Sequence, residues 1–252
     1  MSILGRLLGR RARRDAAYVS RFSAPIKPEA PFFAIGDIHG CFDQIQRAIA
    51  RIDAEHPSST ILCVGDFVDR GEQSAEVLTY LHGLQAERGA RLICLMGNHE
   101  EMLLKFLDDP EARGPGWMRH GGLQTLASYR VALDRSDFTV TRDALAEAMG
   151  PTLVAWLRAL PTSWHSGNVW AVHAGADPAL PMEHQGRDTL LWGHRDFGRV
   201  ARSDGQWVLH GHTIRDAPQV EAGVISIDTG AYATGRLTVA HIQAGDVEFF
   251  MA

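Results

Sequence analysis

Cysteine is scarce in this chain. Cys41, Cys63 and Cys94 are an odd number, lie far apart, and form no Cys-x-x-Cys pair in the 252 residues. That argues against both a disulfide framework and a thiolate zinc site. Cys63 and Cys94 sit inside apolar runs, as reduced core cysteines do, and the cytoplasm is the expected compartment. Long apolar runs are missing as well. No stretch approaches the roughly 20 residues of a membrane span. Ile3, Leu4, Leu7 and Leu8 are interrupted by Gly5 and Arg6, which disfavours a signal peptide. There is no excess of positive charge either: the net charge is −5, so stable binding to nucleic acid is not expected. The arginines that do cluster, Arg6, Arg10, Arg11, Arg13 and Arg14, form a basic arm that reads as a solvated terminus.

The rest of the composition is that of a globular protein, with 45% hydrophobic and 22% charged residues. Residues 1–30 read as the arm and a linker, since "SAPIKPEAP" (23–31) carries three prolines and no apolar period. Residues 31–252 are expected to form one domain large enough to bury its own core.

Three similar units open that domain. "FFAI" runs into "GDIHG" and then a helical pattern with Phe42, Ile45, Ile49 and Ile52 on one face. "TILCV" runs into "GDFVDRG" and a helix carrying Val77, Leu78, Leu81 and Leu84. "RLICLM" runs into "GNHE" and "EMLLKFLDD". Strand, polar turn and helix repeated three times predict βαβ units with a locally parallel sheet. Ligands bind beyond the carboxyl ends of such strands, where all three polar turns fall. Residues 102–160 read as a mostly helical insertion, within which the glycine-rich "RGPGWMRHGG" (113–122) is expected to be irregular, a lid or a border. From Ser163 on, "NVWAVHAG", "QWVLHGHT", "GVISIDTG" and "RLTVAHI" read as strands of a second sheet packed on the first.

Five strand ends carry one chemistry: Asp37 and His39, Asp66 and Asp69, Asn98 and His99, His173, and His212. Carboxylate, imidazole and amide oxygen without thiolate suit divalent cations such as Mn²⁺, Fe²⁺ or Zn²⁺. Six candidate ligands exceed the needs of one ion and point to two that share a bridging carboxylate, an arrangement used for in-line displacement at phosphorus.

In this order, "GDIHG", "GDFVDRG", "GNHE", "VHAG" and "HGHT" resemble the signature of the phosphoprotein phosphatase branch of the calcineurin-like metallophosphoesterases. The chain looks most like the compact bacterial and phage serine/threonine protein phosphatases. The resemblance implies an α/β (α+β) fold of four layers, a β-sandwich of two mixed sheets flanked by helices. It implies that Asp37 and His39 hold a first metal, that Asp66 bridges, and that Asn98, His173 and His212 complete a second. Arg70 and Arg195 match phosphate-binding arginines, although "WGHRDF" departs from the usual spacing around Arg195. His99 matches the proton donor to the leaving oxygen, oriented by Asp69, and Asn98 also faces the phosphate. Glu100 has no implied chemistry and reads as a helix start, where the dipole favours a carboxylate.

The implied activity is hydrolysis of a phosphomonoester, a phosphoprotein first, with two metals, Mn²⁺ before Fe or Zn. Dinucleoside polyphosphate and RNA-cap hydrolases use the same ligands and form the alternative, because specificity lies in the cleft walls. An inactive binding module is the remote alternative. The walls are expected in 105–130 and 177–200, through Trp117, Arg119, His120, Trp192 and His194.

Overall fold

The computed structural model describes residues 22–252. The basic arm lies outside the described residues. The first sheet contains β1 (Phe32–Ile35), β2 (Thr60–Cys63) and β3 (Leu92–Cys94), all parallel. Their short, continuously apolar sequences are those of strands covered on both faces. The register pairs Ile35 with Cys63 and Cys63 with Cys94, so the three polar turns leave the sheet side by side.

Between these strands run α1 (Phe42–Glu55), which buries Ile45, Ala48, Ile49 and Ile52, and α2 (Ser74–Arg88), which buries Val77, Leu78 and Leu81. Five further helices follow: α3 (Asn98–Asp108), α4 (Pro110–Trp117), α5 (Leu123–Ser128), α6 (Phe138–Met149) and α7 (Pro151–Arg158). Their buried residues Trp117, Leu126, Leu145 and Leu157 join one apolar cluster with Ile35, Ile45 and Leu78. The helical insertion expected over 102–160 therefore shares the core of the first sheet.

The second sheet has the order β4 (Ser163–Ser166), β5 (Val169–Val172), β6 (Trp207–His210), β8 (Val224–Ser226) and β7 (Gln219–Glu221). Here β5, β6 and β8 are parallel and the edges antiparallel. Ala34, Leu62, Ala171, Leu209 and Ile225 fill the space between the sheets. Behind the second sheet, Val172 and Val208 are covered by Met182 and by Leu190 of the short α8 (Arg187–Trp192). Helices, sheet, sheet and a thin outer cover make the four layers, and both sheets are mixed.

One expectation is corrected and one is met only in part. "RLTVAHI" is not in the second sheet: β9 (Thr238–Gln243) runs antiparallel to β1 and pairs with β10 (Asp246–Met251), extending the first sheet. Val239 faces the helical side while Ala240 and Ile242 face the second sheet, so both faces of β9 have apolar partners. Residues 113–122 are largely helical, and irregular only at a kink where Gly121 takes a φ of 105°. They end α4 and continue as a wide-turned helical segment, Met118–Gly122. Pro110 occupies the first turn of α4, where its missing N–H costs nothing. Gly122 serves packing, since a Cβ there would lie 2.6 Å from the Trp117 ring. The stretch 23–31 is extended as expected, but it is anchored through buried Ile26 and by Lys27 N–H donating to Asn168 Oδ1 at 2.7 Å.

Candidate active site

The parallel strands of both sheets deliver their following turns to one edge of the sandwich, and eight expected residues meet there. Asp37, His39, Asp66, Asp69, Asn98, His99 and His173 are buried, and His212 is partly open. Five non-glycine site residues, His39, Asp66, Asp69, Arg70 and His212, have φ between 43° and 70°. That left-handed backbone costs on the order of 1 kcal/mol or more per residue and persists where surrounding bonds over-determine it.

Glu100 supplies many of those bonds. Its carboxylate accepts from the amides of Asp66 (2.8 Å), Phe67 (2.7 Å), Val68 (3.2 Å) and Gly97 (2.9 Å). It does lie in the first turn of α3, as expected. It also holds the Asp66 turn in place, which no local pattern disclosed, because three of its four partners lie more than 30 residues away.

The Asp66 carboxylate is central. Oδ2 lies 3.4 Å from His39 Nε2 and 3.9 Å from His99 Nε2, and Oδ1 lies 3.3 Å from His173 Nε2. Two sets of groups with mutually close ligand atoms share it: His39, Asp66 and His99, and Asp66, His173 and His212. Asn98 Oδ1 joins the second at 2.8 Å from His173 Nε2 and 2.9 Å from His212 Nδ1. Asp37 joins from the side, its Oδ2 accepting the His212 N–H at 2.8 Å.

The donor chemistry fits cations. His39 Nδ1–H donates to the Val68 carbonyl at 2.8 Å and His173 Nδ1–H to the Val64 carbonyl at 3.0 Å, leaving both Nε2 lone pairs aimed inward. His39 Nε2 and Asp37 Oδ1 are buried without a partner, an arrangement that is costly unless a cation lies against them. At His173, Nε2 meets Asn98 Oδ1 and Asp66 Oδ1, acceptor against acceptor, unless a proton or cation lies between. Burial pushes His39 down to about 3 and His212 to about 4, which keeps those two imidazoles neutral as ligands must be, whereas burial of His173 is outweighed by Asp66, which raises it. Burial opposes ionisation of Asp66, but His173, His99 and His39 outweigh it and hold the carboxyl well below its usual range. Burial, Asp228 and Asp66 raise Asp37.

His99 and Asp69 form a separate pair. His99 Nδ1 lies 2.7 Å from Asp69 Oδ2, and Asp69 in turn accepts from Trp117 Nε1 at 2.9 Å and Thr125 Oγ1 at 2.6 Å. Burial lowers the His99 pKa, but Asp66 and Asp69 win and raise it above the ordinary value. Trp117 is thus a buried support for Asp69, where a cleft-wall residue was expected. The segment 118–122 braces the same turn, Gly121 O accepting the Arg70 N–H at 3.3 Å.

Arg70 lies with its guanidinium 5.1 Å from the Tyr232 ring centroid, and Tyr232 meets His39 edge-on at 5.3 Å. Arg195 stands apart from the cluster: its side chain is 86% exposed and reaches Asp196 at 3.5 Å. It lines a cleft of about 460 Å³ shared with Trp192, His194 and His212. Trp192 Nε1 donates to Glu101 at 2.9 Å, while His120 binds the Gly116 carbonyl.

Asp228, Glu100, Thr125 and Tyr232 were not anticipated as site residues. Asp228 had a visible signal, because "IDTG" is another glycine-bounded aspartate after a parallel strand. Cys41, Cys63 and Cys94 are buried and free, as expected. Among the described residues no helix is long and apolar enough to cross a membrane.

The sequence model of the calcineurin-like phosphoesterases matches residues 30–216. A "Bis(5'-nucleosyl)-tetraphosphatase, symmetrical" of Nitrosococcus oceani is 32% identical over 148 residues, 58% of this chain and 44% of that protein. The chain thus matches less than half the length of that relative. A "Bis(5'-nucleosyl)-tetraphosphatase PrpE [asymmetrical]" of Bacillus velezensis is 28% identical over 228 residues, 81% of this chain and 86% of that protein. A crystal structure of a candidate diadenosine tetraphosphatase superposes with a TM-score of 0.63 at 21% identity, covering 91% of this chain and 99% of that one. At that identity the likeness speaks for the fold.

Proposed function

The chain belongs to the calcineurin-like phosphoesterase family, a hydrolase of phosphoric esters, and from that premise we propose that it cleaves dinucleoside polyphosphates of the diadenosine tetraphosphate type. The carrying observation is the near-full-length match to the asymmetrical tetraphosphatase of Bacillus velezensis. It reverses the order reached from sequence, where a serine/threonine phosphoprotein came first and the dinucleotide second. Residues 31–252 act as one domain, in the reducing cytoplasm that buried free thiols favour.

In this reading Asp37, His39 and Asp66 hold one divalent cation and Asp66, Asn98, His173 and His212 the other, with Mn²⁺ the proposed metal. Two such cations supply Lewis acidity and a water that is nucleophilic at neutral pH. Arg70 grips phosphoryl oxygens with its planar fork, and Tyr232, against its guanidinium, limits where that fork points. Asn98 also faces the phosphate, and Arg195 approaches from the cleft rim. His99 gives the proton on Nε2 to the departing oxygen, while Asp69 on Nδ1 fixes its tautomer and supports its charge.

The test is a side-by-side assay of the purified full chain in Mn²⁺ with diadenosine tetraphosphate and a phosphoserine peptide. A kcat/KM at least about a hundredfold higher for the dinucleotide supports the reading, a ratio within the discrimination that pocket contacts achieve. A preference for the peptide restores the phosphoprotein reading. Turnover of neither, with no metal bound, revives the binding module.

A further inference from the structure

The cleft that borders His212 does not end at the metal-ligating cluster. It continues into a second, smaller cavity of about 130 Å³, and the two share Arg199, Arg215 and Ser226 in their walls. No role has fallen to Arg199 or Arg215. Arg195 pairs with Asp196, and Arg202 with Asp204, whereas Arg199 and Arg215 form no ion pair among the described residues. Glu221 also lines the smaller cavity but forms no ion pair with either arginine among the described residues, so the two guanidinium groups repel each other unless an anion joins them.

The arginines stand on backbone that is already ordered. Arg215 N–H donates to the Asp228 carbonyl at 2.9 Å, and Arg199 N–H to the Asp196 carbonyl at 3.1 Å. The loop carrying Arg199 is pinned at its far end by Arg202, only 7% exposed, which donates to the carbonyls of Asp177 (3.0 Å) and Leu180 (2.7 Å). Near its start, Phe197 packs edge-on against buried His210 at 4.8 Å. A site whose backbone is held beforehand loses less entropy when its ligand arrives.

We propose that Arg199 and Arg215 form a second anion subsite that takes the phosphates beyond the one being cleaved, making the enzyme selective for polyphosphate chains over simple monoesters. This rests on the phosphoesterase cluster lying at the His212 end of the same cleft and deepens the dinucleotide reading. A chain of phosphates carries about one negative charge per unit, and after Arg70 and the cations engage the scissile group the remaining charges need partners. Guanidinium forks match phosphate oxygens bidentately. Trp192 and Phe197 on the same walls offer faces on which a nucleobase stacks. A pocket of about 460 Å³ has the size of a small-ligand site. An acidic phosphopeptide would satisfy the arginines but leave the enclosed pocket and its aromatic walls without a use.

The test compares two inhibitors of p-nitrophenyl phosphate hydrolysis by the Mn²⁺-loaded full chain at fixed free Mn²⁺: inorganic tripolyphosphate and orthophosphate. Arg199→Gln and Arg215→Gln are each expected to raise the tripolyphosphate inhibition constant about tenfold more than the orthophosphate constant. The double variant should lose more, and raised salt should shrink the difference. Arg47→Gln, on the exposed face of α1, is expected to leave the ratio at its wild-type value. If Arg199→Gln and Arg215→Gln leave the ratio unchanged, or raise both constants alike, the subsite is overturned. A wild type that cleaves the phosphoserine peptide and not diadenosine tetraphosphate refutes the dinucleotide reading, while the inhibition ratio still decides the subsite. Glutamate-rich peptide inhibition that depends on the two arginines, with tripolyphosphate inhibition that does not, assigns the cleft to an acidic peptide and overturns the proposal.

Discussion

Trp117 donates its indole N–H to Asp69 at 2.9 Å, and the same carboxylate oxygen, Oδ2, lies 2.7 Å from His99 Nδ1. A tryptophan in a helical segment 48 residues downstream therefore fixes the direction of the group that orients the proton donor. Trp117→Phe keeps most of the ring volume and removes this donor. With one donor fewer on the Asp69 carboxylate, more of its negative charge is left to His99, and imidazolium is supported more strongly. The alkaline limb of the pH–rate profile is expected to move to higher pH, with kcat down about tenfold. A structural effect alone would lower melting temperature or metal content without moving the limb.

Glu100 binds three amides of the Asp66 turn and that of Gly97, and burial and Asp66 push it up to about 7 from an ordinary 4.5. A raised folded pKa means that the native state holds the extra proton, so its stabilising effect is present at low pH and lost as pH rises toward 7. In chelator, wild type is expected to lose stability over that window relative to Glu100→Gln, which has nothing to titrate there. The variant itself turns an NH₂ toward backbone donors and should be less stable by about 2 kcal/mol at pH 5. Urea unfolding of both proteins from pH 5 to 7.5 reads the gap. Comparing the two cancels the opposite titrations of His39 and His212. A gap that widens with pH would refute the assignment.

Much of this architecture was legible because strand, polar turn and helix repeat within short windows. "GDIHG", "GDFVDRG" and "GNHE" each announce a strand end, and Ile45, Ile49 and Ile52 announce the helix behind it. What escaped was set by distance. The placement of β9 beside β1 depends on pairing across 200 residues, which no local period encodes. Trp117 and Thr125 reach Asp69 through an insertion that read as irregular from its glycines, of which Gly114 and Gly122 serve close packing. Glu100 resembled any first-turn carboxylate, because three of its four amide partners belong to a turn on another strand. Asp228 was recoverable, having the same setting as Asp37 and Asp66, but no role was assigned to it.

Gly211 passes Asp37 so closely that a Cβ there would fall 1.8 Å from Asp37 Oδ1. Asp37 is buried against Asp228 and Asp66 and has little room to retreat. Gly211→Ala is expected to turn the Asp37 carboxylate out of its place, removing about one bound cation per chain and lowering turnover by roughly a hundredfold or more. Elemental analysis after equilibration with Mn²⁺ counts the ions, and circular dichroism checks the fold. Full stoichiometry with full activity would remove Asp37 from the proposed ligand set.

His99 provides the sharpest test of mechanism, because its value depends on what leaves. A serine alkoxide is a very poor leaving group without a proton, so on a phosphoserine peptide His99→Ala should cost roughly two to four powers of ten in kcat. Diadenosine tetraphosphate releases a nucleoside phosphate, whose last ionisation lies near pH 6, so at pH 8 it departs without help. The loss there is expected to be about tenfold or less, with p-nitrophenyl phosphate between the two. The substitution preserves the His99 N–H that donates to Asp66 Oδ1 at 3.0 Å, so the Asp66 carboxylate keeps that support and the comparison isolates the imidazole. Equal losses on all three substrates would mean that His99 positions Asp66 or the phosphate and donates no proton. A graded loss following leaving-group basicity fixes the proton on Nε2, opposite the Asp69 contact.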